Sequence, residues 1–171
     1  MNLGEGKNLL VLTQQKLKEN VHYNPETGVF TRLKAKGGRN VGDVTGSVLG
    51  KGYLGIKING IGYKAHRLAW LYVTGEMPED CIDHINGIRD DNRFCNLRKA
   101  TNCQNTQNRR SPQKGCQTGF LGVSLDKRSN RFRARITVNE KTINLGFYDT
   151  PEEASMVYTE AKRKYHPFST I

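Results

Sequence analysis

The sequence has no hydrophobic run of the length needed to span a membrane, and its opening residues lack the pattern of a secretory leader. Aromatic residues are scarce as well, at 8% of 171 residues, which predicts small cores. We therefore expect a soluble, intracellular, cytoplasmic protein with no membrane partner. A chain of this length holds two small domains, or one domain with an extension.

Cysteine is also sparse, and no two cysteines form a C-x-x-C pair. Four cysteines in a chain of this length are too few for a secreted disulfide framework. Reduced, packed thiols are the favoured interpretation, and a zinc-stabilised module is the disfavoured alternative. The four residues are Cys81, Cys95, Cys103 and Cys116.

Acidic residues are fewer than basic ones, 16 against 27, which gives a formal net charge of +11. A polyanion is the first partner to expect, because phosphate neutralisation dominates non-specific nucleic-acid affinity. Six of the acids lie between Glu76 and Asp91, where Arg89 is the single base. An acidic patch weakens the binding of a polyanion unless a cation sits there, so this distribution is a first indication of a bound metal.

Glycine is abundant between Gly28 and Gly62, where ten glycines exclude helix and favour short strands. Asn59-Gly60 predicts a hairpin turn, and the run from His66 to Gly75 predicts an apolar helix. The basic residues of this region either contact nucleic acid or belong to a small scaffold packed on that helix, and both interpretations stay open. They are Arg32, Lys34, Lys36, Arg39, Lys51, Lys57 and Lys64.

The segment IDHINGIRDDNRFCNL, from Ile82 to Leu97, places a carboxylate next to an imidazole. Hydrolysis of a phosphodiester requires an activated water and stabilisation of the developing phosphate charge. A neutral His84 can provide the first, and a hard divalent cation held by Asp83 can provide the second. Asp90 and Asp91 are interpreted as turn residues. His66 either lines the cleft or is simply a residue at the start of a helix, and the second interpretation is favoured.

The elements around this segment follow a β-loop-β-α order. We expect strands at Cys81 to His84 and near Leu97 to Ala100. Thr101 and Gln104 have capping-box spacing, which predicts a helix from about residue 102 to 109.

The stretch from His66 to Asn108 resembles the HNH, or ββα-metal, endonucleases of the phage and intron-encoded homing type. AHRLAW before the strands and NL-x-x-A-T-x-x-Q-N after them contribute to the resemblance. It implies that His84 is the general base, that Asp83 and Asn105 bind the metal, and that Asn96 fixes the loop. Asn102 and Asn108 remain alternatives to Asn105. Oxygen donors favour one Mg²⁺ or Mn²⁺ ion over zinc.

After a linker at residues 111–117, three strand-like runs precede a helix that begins at Thr150-Pro151. In RFRARITV the arginines alternate with apolar residues, which puts the two kinds of side chain on opposite faces of a strand. The helical stripe predicted to pack on the apolar face consists of Ala154, Val157, Tyr158, Ala161 and Tyr165.

The segment from Thr118 to His166 is similar to the plant Apetala2/ethylene-response-factor DNA-binding domain, through GV, RFRARI and LGFYDT-x-EEA. The resemblance implies that sheet residues contact DNA. These are Arg128, Arg131, Arg133 and Arg135, with Lys127 extending the patch.

The predicted fold is α+β. A Gly-rich β region (1–65) leads into the ββα-metal module (66–110), then a linker (111–117), then a three-stranded antiparallel sheet packed on one helix (118–171). The predicted function is a metal-dependent HNH homing endonuclease, phage-encoded or bacterial, that nicks double-stranded DNA as a monomer without an obligatory protein partner. A non-catalytic DNA-binding regulator is the alternative, and an RNA substrate stays open. We expect activity to decline as pH falls through about 6.5, with Asp83 raising the pKa of His84.

Overall fold

A computed structural model describes residues 12–171 of the chain. These residues mix four α-helices with several small sheets, and they pack as two units. The first unit contains the described residues up to His84 together with Ile88–Lys99, and the second contains Ile85–Gly87 and Ala100–Ile171. The expectation of no leader falls mostly on residues 1–11, outside the described part. The boundaries predicted at residues 65, 110 and 117 stay predictions.

The first unit opens with a short helix, α1 (Gln14–Lys18), followed by five short strands. Thr13 is its N-cap, because the hydroxyl accepts a hydrogen bond from the Lys16 amide. The strands form one two-stranded and one three-stranded antiparallel sheet, β1-β2 and β3-β4-β5. They are β1 (Val21–Tyr23), β2 (Phe30–Arg32), β3 (Ser47–Val48), β4 (Leu54–Ile58) and β5 (Ile61–Lys64).

The hairpin predicted at Asn59-Gly60 is confirmed, and both residues have positive φ, 51° and 85°. Such angles are those of a type I′ turn, which matches the twist of the flanking strands. The helix that follows, α2 (Ala65–Thr74), ends at Gly75 with φ of 84° in the left-handed region, as expected.

The core of the first unit forms where α2 packs on β4 and β5 and on the elements that precede them. This packing is what the scaffold interpretation of the Gly-rich region required. Burial of these apolar side chains stabilises the unit by about 25 cal/mol for each Å² removed from water. The most deeply buried members are Leu17, Tyr23, Ala65, Leu68, Ala69 and Leu71.

A second pair of strands, β6 (Cys81–His84) and β7 (Leu97–Ala100), forms a two-stranded sheet. Both strands were predicted at these positions. A 3₁₀ turn at Phe94–Asn96 precedes β7. The next helix, α3 (Asn102–Gln107), begins with the predicted capping box and ends about one half-turn earlier than expected.

The second unit contains the antiparallel sheet β10-β9-β8, built from β8 (Val123–Asp126), β9 (Arg131–Val138) and β10 (Lys141–Tyr148). Helix α4 (Pro151–Tyr165) packs on it, with Thr150 as N-cap. The contact is close at Gly122, where an added Cβ would lie 2.0 Å from Cδ2 of Tyr158. Only glycine fits beneath that ring.

Two residues of α4 differ from the predicted apolar stripe. Tyr165 is 37% exposed, whereas Lys162 is 1% exposed. The Lys162 ammonium donates a hydrogen bond to the carbonyl oxygen of Arg109. Burial lowers the pKa of Lys162 to about 8, and the nearby charges of Arg110 and Arg109 act in the same direction.

Among the described residues, no helix is both long enough and apolar enough to cross a membrane.

Candidate active site

His84 lies at the end of β6 and is buried, with 4% of its surface exposed. Its Nε2 lies 3.4 Å from Oδ1 of Asn92, and the Nδ2 of Asn92 donates to the carbonyl oxygen of Asp90 at 3.0 Å. Because Nδ2 of Asn92 donates its hydrogen bond to Asp90, Oδ1 of Asn92 is the atom that faces the imidazole. Nε2 is therefore the protonated nitrogen of a neutral His84, and Nδ1 carries the lone pair.

The pKa of His84 is lowered from its ordinary value. Burial is the largest cause, because it disfavours the charged ring. The hydrogen bond with Asn92 and the charge of Asp83 both oppose the shift without reversing it. The expected upward shift is therefore wrong: desolvation outweighs the carboxylates.

Two further rings contact His84 within the first unit. The His66 ring meets it edge to face, with centroids 5.0 Å apart, and the Tyr53 ring lies 6.0 Å away. Burial lowers the pKa of His66 to about 3, so this ring is neutral. Its Nδ1 is buried and has no hydrogen-bond partner among residues 12–171. His66 lies in the first turn of α2, as expected, and its ring also packs against His84.

Asp83, next to His84, is 6% exposed and forms an ion pair with Arg98 of β7. Both Nε and Nη2 of Arg98 donate to Oδ2 of Asp83, each at 3.0 Å. A forked, charge-assisted contact of this kind fixes the orientation of the carboxylate. Arg98 therefore holds the Asp83 carboxylate in one orientation next to His84 in the sequence.

The acidic segment is neutralised in part by arginines. Arg93 forms a second forked pair with Asp91, at 2.8 and 2.6 Å. Together with Arg98 on Asp83, this pair weakens the argument that the acids require a metal. Residues 12–171 contain no group of three or more His, Cys, Asp or Glu side chains arranged to hold a metal ion.

Asn96 is 7% exposed and lies at the end of the 3₁₀ turn before β7. Its Nδ2 donates to the carbonyl oxygen of Asp91 at 2.8 Å. This contact ties the end of the loop to its middle, and the loop-fixing role of Asn96 stays a prediction.

The β1-β2 hairpin contacts the same loop and stabilises it. Tyr23 Oη donates to the carbonyl oxygen of Asn92 at 2.6 Å, and the Phe94 amide donates to the carbonyl oxygen of Pro25 at 2.9 Å. At Gly28, with φ of 74°, an added Cβ would lie 2.5 Å from the backbone nitrogen of Arg93. The hairpin and the loop therefore touch backbone to backbone.

The three candidate helix ligands belong to the second unit. Asn105 and Asn102 are exposed on α3, whereas Asn108 is buried. Asn108 donates to the carbonyl oxygen of Ile85 at 3.3 Å and accepts a hydrogen bond from the Thr170 hydroxyl at 2.9 Å. These contacts give Asn108 a structural role, and Asn105 stays the predicted ligand with Asn102 as its alternative.

The arginines of β9 alternate with buried residues, as the sequence pattern predicted. Ala134 and Ile136 are buried, whereas Arg131 and Arg135 are exposed. Arg133 is half-buried, and its Nε has no hydrogen-bond partner among the described residues. Lys127 and Arg128 are exposed in the turn between β8 and β9. Asp149 pairs with Arg131 at 2.9 Å, so the face is not free of acids.

Sequence reasoning missed two partners of the central residues. Asn92 was assigned no role, although it is 1% exposed and faces His84. Arg98, the partner of Asp83, carried a usable signal: on paired strands, a base in β7 can face an acid in β6. None of the four cysteines, all of which are described, forms a disulfide.

A protein-family model described as "HNH endonuclease" matches residues 63–107, the segment that contains His84, Asn96 and Asn105. The chain therefore carries an HNH endonuclease domain over these residues.

A relative is Protein 3.8 of Escherichia phage T7, which is 31% identical over 108 residues, covering 61% of this chain and 88% of the phage protein. A solved structure entitled "DNA binding and cleavage by the HNH homing endonuclease I-HmuI" is 21% identical. It aligns over 85% of this chain and 80% of that chain, with a TM-score of 0.42.

Proposed function

We propose that this protein is a metal-dependent DNA endonuclease of the homing type, which nicks one strand of double-stranded DNA as a monomer in the cytoplasm of a bacterial cell. The observation that carries the proposal is the buried, neutral His84, oriented by Asn92 beside a fixed carboxylate. The match of residues 63–107 to the HNH endonuclease family model supports the same class of activity.

His84 is the general base of the proposed reaction. Its Nδ1 removes a proton from the attacking water, while Asn92 Oδ1 accepts the hydrogen bond from Nε2–H and steadies the imidazolium that forms. The lowered pKa keeps the ring neutral, and therefore able to accept a proton, near neutral pH. Asn96 keeps the loop that carries Asn92 in place.

The residues present fit a hard divalent cation such as Mg²⁺ or Mn²⁺. Mg²⁺ is commonly held by one or two carboxylates, with waters and substrate phosphates completing its shell, so the single carboxylate of Asp83 suffices. Asn105 stays the second, neutral oxygen donor that the family resemblance implies. An ion held there would neutralise charge that develops on the phosphate during cleavage. Arg98 holds the Asp83 carboxylate ready for that role.

One base and one metal site cut one phosphodiester, so a monomer leaves a nick. Affinity for DNA comes from the second unit, where arginines of β9 and two residues of the preceding turn contact phosphates and base edges. They are Arg131, Arg133 and Arg135 of β9, with Lys127 and Arg128 of the turn. Support comes from the exposure of Arg131 and Arg135 and from the Arg133 Nε, which has no partner among the described residues. A two-stranded or three-stranded sheet can present such residues to a major groove.

A second candidate is a DNA-binding regulator without turnover. The observation in its favour is the Asp83–Arg98 pair, since Arg98 already supplies a positive charge at Oδ2.

The test incubates supercoiled plasmid with wild-type protein, His84→Ala and His22→Ala, each with Mg²⁺, Mn²⁺ or EDTA. His22 is an exposed histidine of β1 and serves as the matched control. We expect metal-dependent open-circular product from wild type and His22→Ala, and none from His84→Ala. Equal cleavage by all three would remove His84 from the mechanism. DNA binding without cleavage by any of them, on DNA that contains the target, would favour the regulator.

A further inference from the structure

A cavity of about 470 Å³ opens in the first unit, between the start of β1, the loop that follows β2 and the β4-β5 turn. None of the described residues that line it is acidic. The remaining lining residues are uncharged, and the cations are Arg32, Lys34, Lys36, Arg39 and Lys57. We call this cavity the basic groove.

The first unexplained feature of the basic groove is Arg32. Its backbone is fixed, because its amide donates to the carbonyl oxygen of Asp43 at 2.9 Å and its carbonyl accepts from the Gly42 amide at 2.8 Å. Its Nε is nevertheless buried without a hydrogen-bond partner among residues 12–171. A buried donor left unpaired costs stability, and an acceptor brought by a ligand would remove that cost.

The second feature is a pair of like charges. Lys36 and Arg39 face each other across a tight turn, closed by hydrogen bonds of 3.1 and 3.3 Å between their backbones. Gly37 and Gly38 form the turn with φ of 60° and 74°, angles that glycine adopts without strain. Like charges directly opposite each other on paired strands are destabilising. Both side chains also line the groove, so the turn holds two cations at its rim.

An anion with several acceptor oxygens would accept a hydrogen bond from Arg32 Nε and would also neutralise the charges of Lys36 and Arg39. Five convergent cations with no acid among them suit consecutive phosphates better than a single carboxylate, since each phosphate brings a full negative charge. We infer that the basic groove binds the phosphodiester backbone of the DNA substrate, as a contact region separate from the β9 arginines. This inference rests on the proposed function for the identity of its ligand.

The test compares two double variants that lose the same charge. Lys36→Gln with Arg39→Gln removes two groove cations, and Lys16→Gln with Lys18→Gln removes two exposed cations of α1. Binding of a fluorescein-labelled duplex is measured by anisotropy at several salt concentrations. Each lost phosphate contact should reduce the slope of log K against log [salt] by about 0.9. We expect the groove variant to lose one to two such contacts and to bind roughly tenfold more weakly, with the α1 variant close to wild type.

Cleavage at saturating DNA separates this inference from the proposed function. Nicking by the groove variant at the wild-type rate, with weaker binding and a shallower slope, supports the inference. Weaker binding by a protein that cleaves nothing would still support the groove while contradicting the endonuclease. Equal slopes for the two variants would overturn the inference, whether or not cleavage occurs. Binding of ATP that only the groove variant loses, with duplex binding unchanged, would also overturn it in favour of a free nucleotide. Thermal melting checks that both variants fold.

Discussion

The polar residues around β6 and those of β9 are both functional candidates, yet their surroundings are opposite. Around β6 the side chains are buried, and each has a defined contact: Asp83 with Arg98, His84 with Asn92, Asn96 with the backbone of Asp91. On β9, Arg135 is exposed, and the side chain of Arg131 forms a surface ion pair with Asp149.

The contrast follows from what each region is proposed to do. Proton transfer requires heavy atoms held within a few tenths of an ångström, and burial with complementary hydrogen bonds provides that precision. Contact with phosphates depends on charge and tolerates movement, because much of the free energy comes from released counterions. Substitutions in the two regions should therefore affect different measurements.

The largest expected effect distinguishes the rate of the catalytic step from the affinity for DNA. His84→Gln should reduce the single-turnover nicking rate by about 10² to 10⁴ and leave the Kd for DNA nearly unchanged, since only the base is lost. Arg135→Gln should do the reverse, with a weaker Kd and a normal rate at saturation. Nicking assays and anisotropy on one labelled duplex measure both quantities. If each variant changed both the nicking rate and the Kd for DNA to the same extent, the two regions would not have separate functions.

The next effect concerns stability in the buried region. Arg98→Met should lower the free energy of unfolding by about 3 kcal/mol, because it leaves the Asp83 carboxylate buried without its cation. Adding Asp83→Asn should restore most of that stability and still abolish nicking. Urea unfolding of the two single variants and the double variant completes the cycle. Additive losses in the double variant would mean that the two side chains are not coupled.

The buried ammonium of Lys162, in the second unit, predicts that the free energy of unfolding depends on pH. The pKa of Lys162 is lowered to about 8, so below pH 8 the folded state carries the full cost of a buried charge. Between pH 8 and about 10.5 the folded state releases this proton before the unfolded state does, and the free energy of unfolding should rise by about 3 kcal/mol. Lys162→Met should remove that rise, whereas Lys164→Met, on the exposed side of α4, should keep it. Urea unfolding at pH 7 and pH 10 provides the measurement, and a rise that survives in Lys162→Met would contradict the assignment.

The smallest effect is expected on the exposed sheet. Asp149→Asn breaks the Arg131 ion pair, and it should change the free energy of unfolding by less than about 1 kcal/mol, because such pairs are screened by water. It should strengthen DNA binding slightly by releasing Arg131 for phosphate. Urea denaturation measures the change in stability, and anisotropy measures the change in DNA binding. A large loss of stability would show that the Arg131–Asp149 pair is not a solvent-screened surface contact.

Local patterns in the sequence were sufficient for most elements. Asn59-Gly60, the Thr101 to Gln104 capping box and the alternation in RFRARITV each act through neighbours in the chain, and each predicted element is present. The adjacency of Asp83 and His84 also marked the site without any tertiary information.

What escaped prediction depends on contacts between distant residues. Arg98 meets Asp83 across the β6-β7 sheet, and Lys162 is buried against the backbone of Arg109, 53 positions away. The direction of the His84 pKa shift depended on how deeply the ring is buried, a quantity set by packing of the first unit and not by its neighbours in sequence.

The backbone contact between the β1-β2 hairpin and the loop after β6 limits how the HNH segment can be transferred to another protein. A chimera joined just before α2 would import the nuclease motif without Tyr23, Pro25 and Gly28, which meet the loop at Asn92 to Phe94. The loop would then have to find new support in the recipient. The smallest transferable cassette is therefore longer than the motif, and it includes the hairpin that precedes the motif by some forty positions in the sequence.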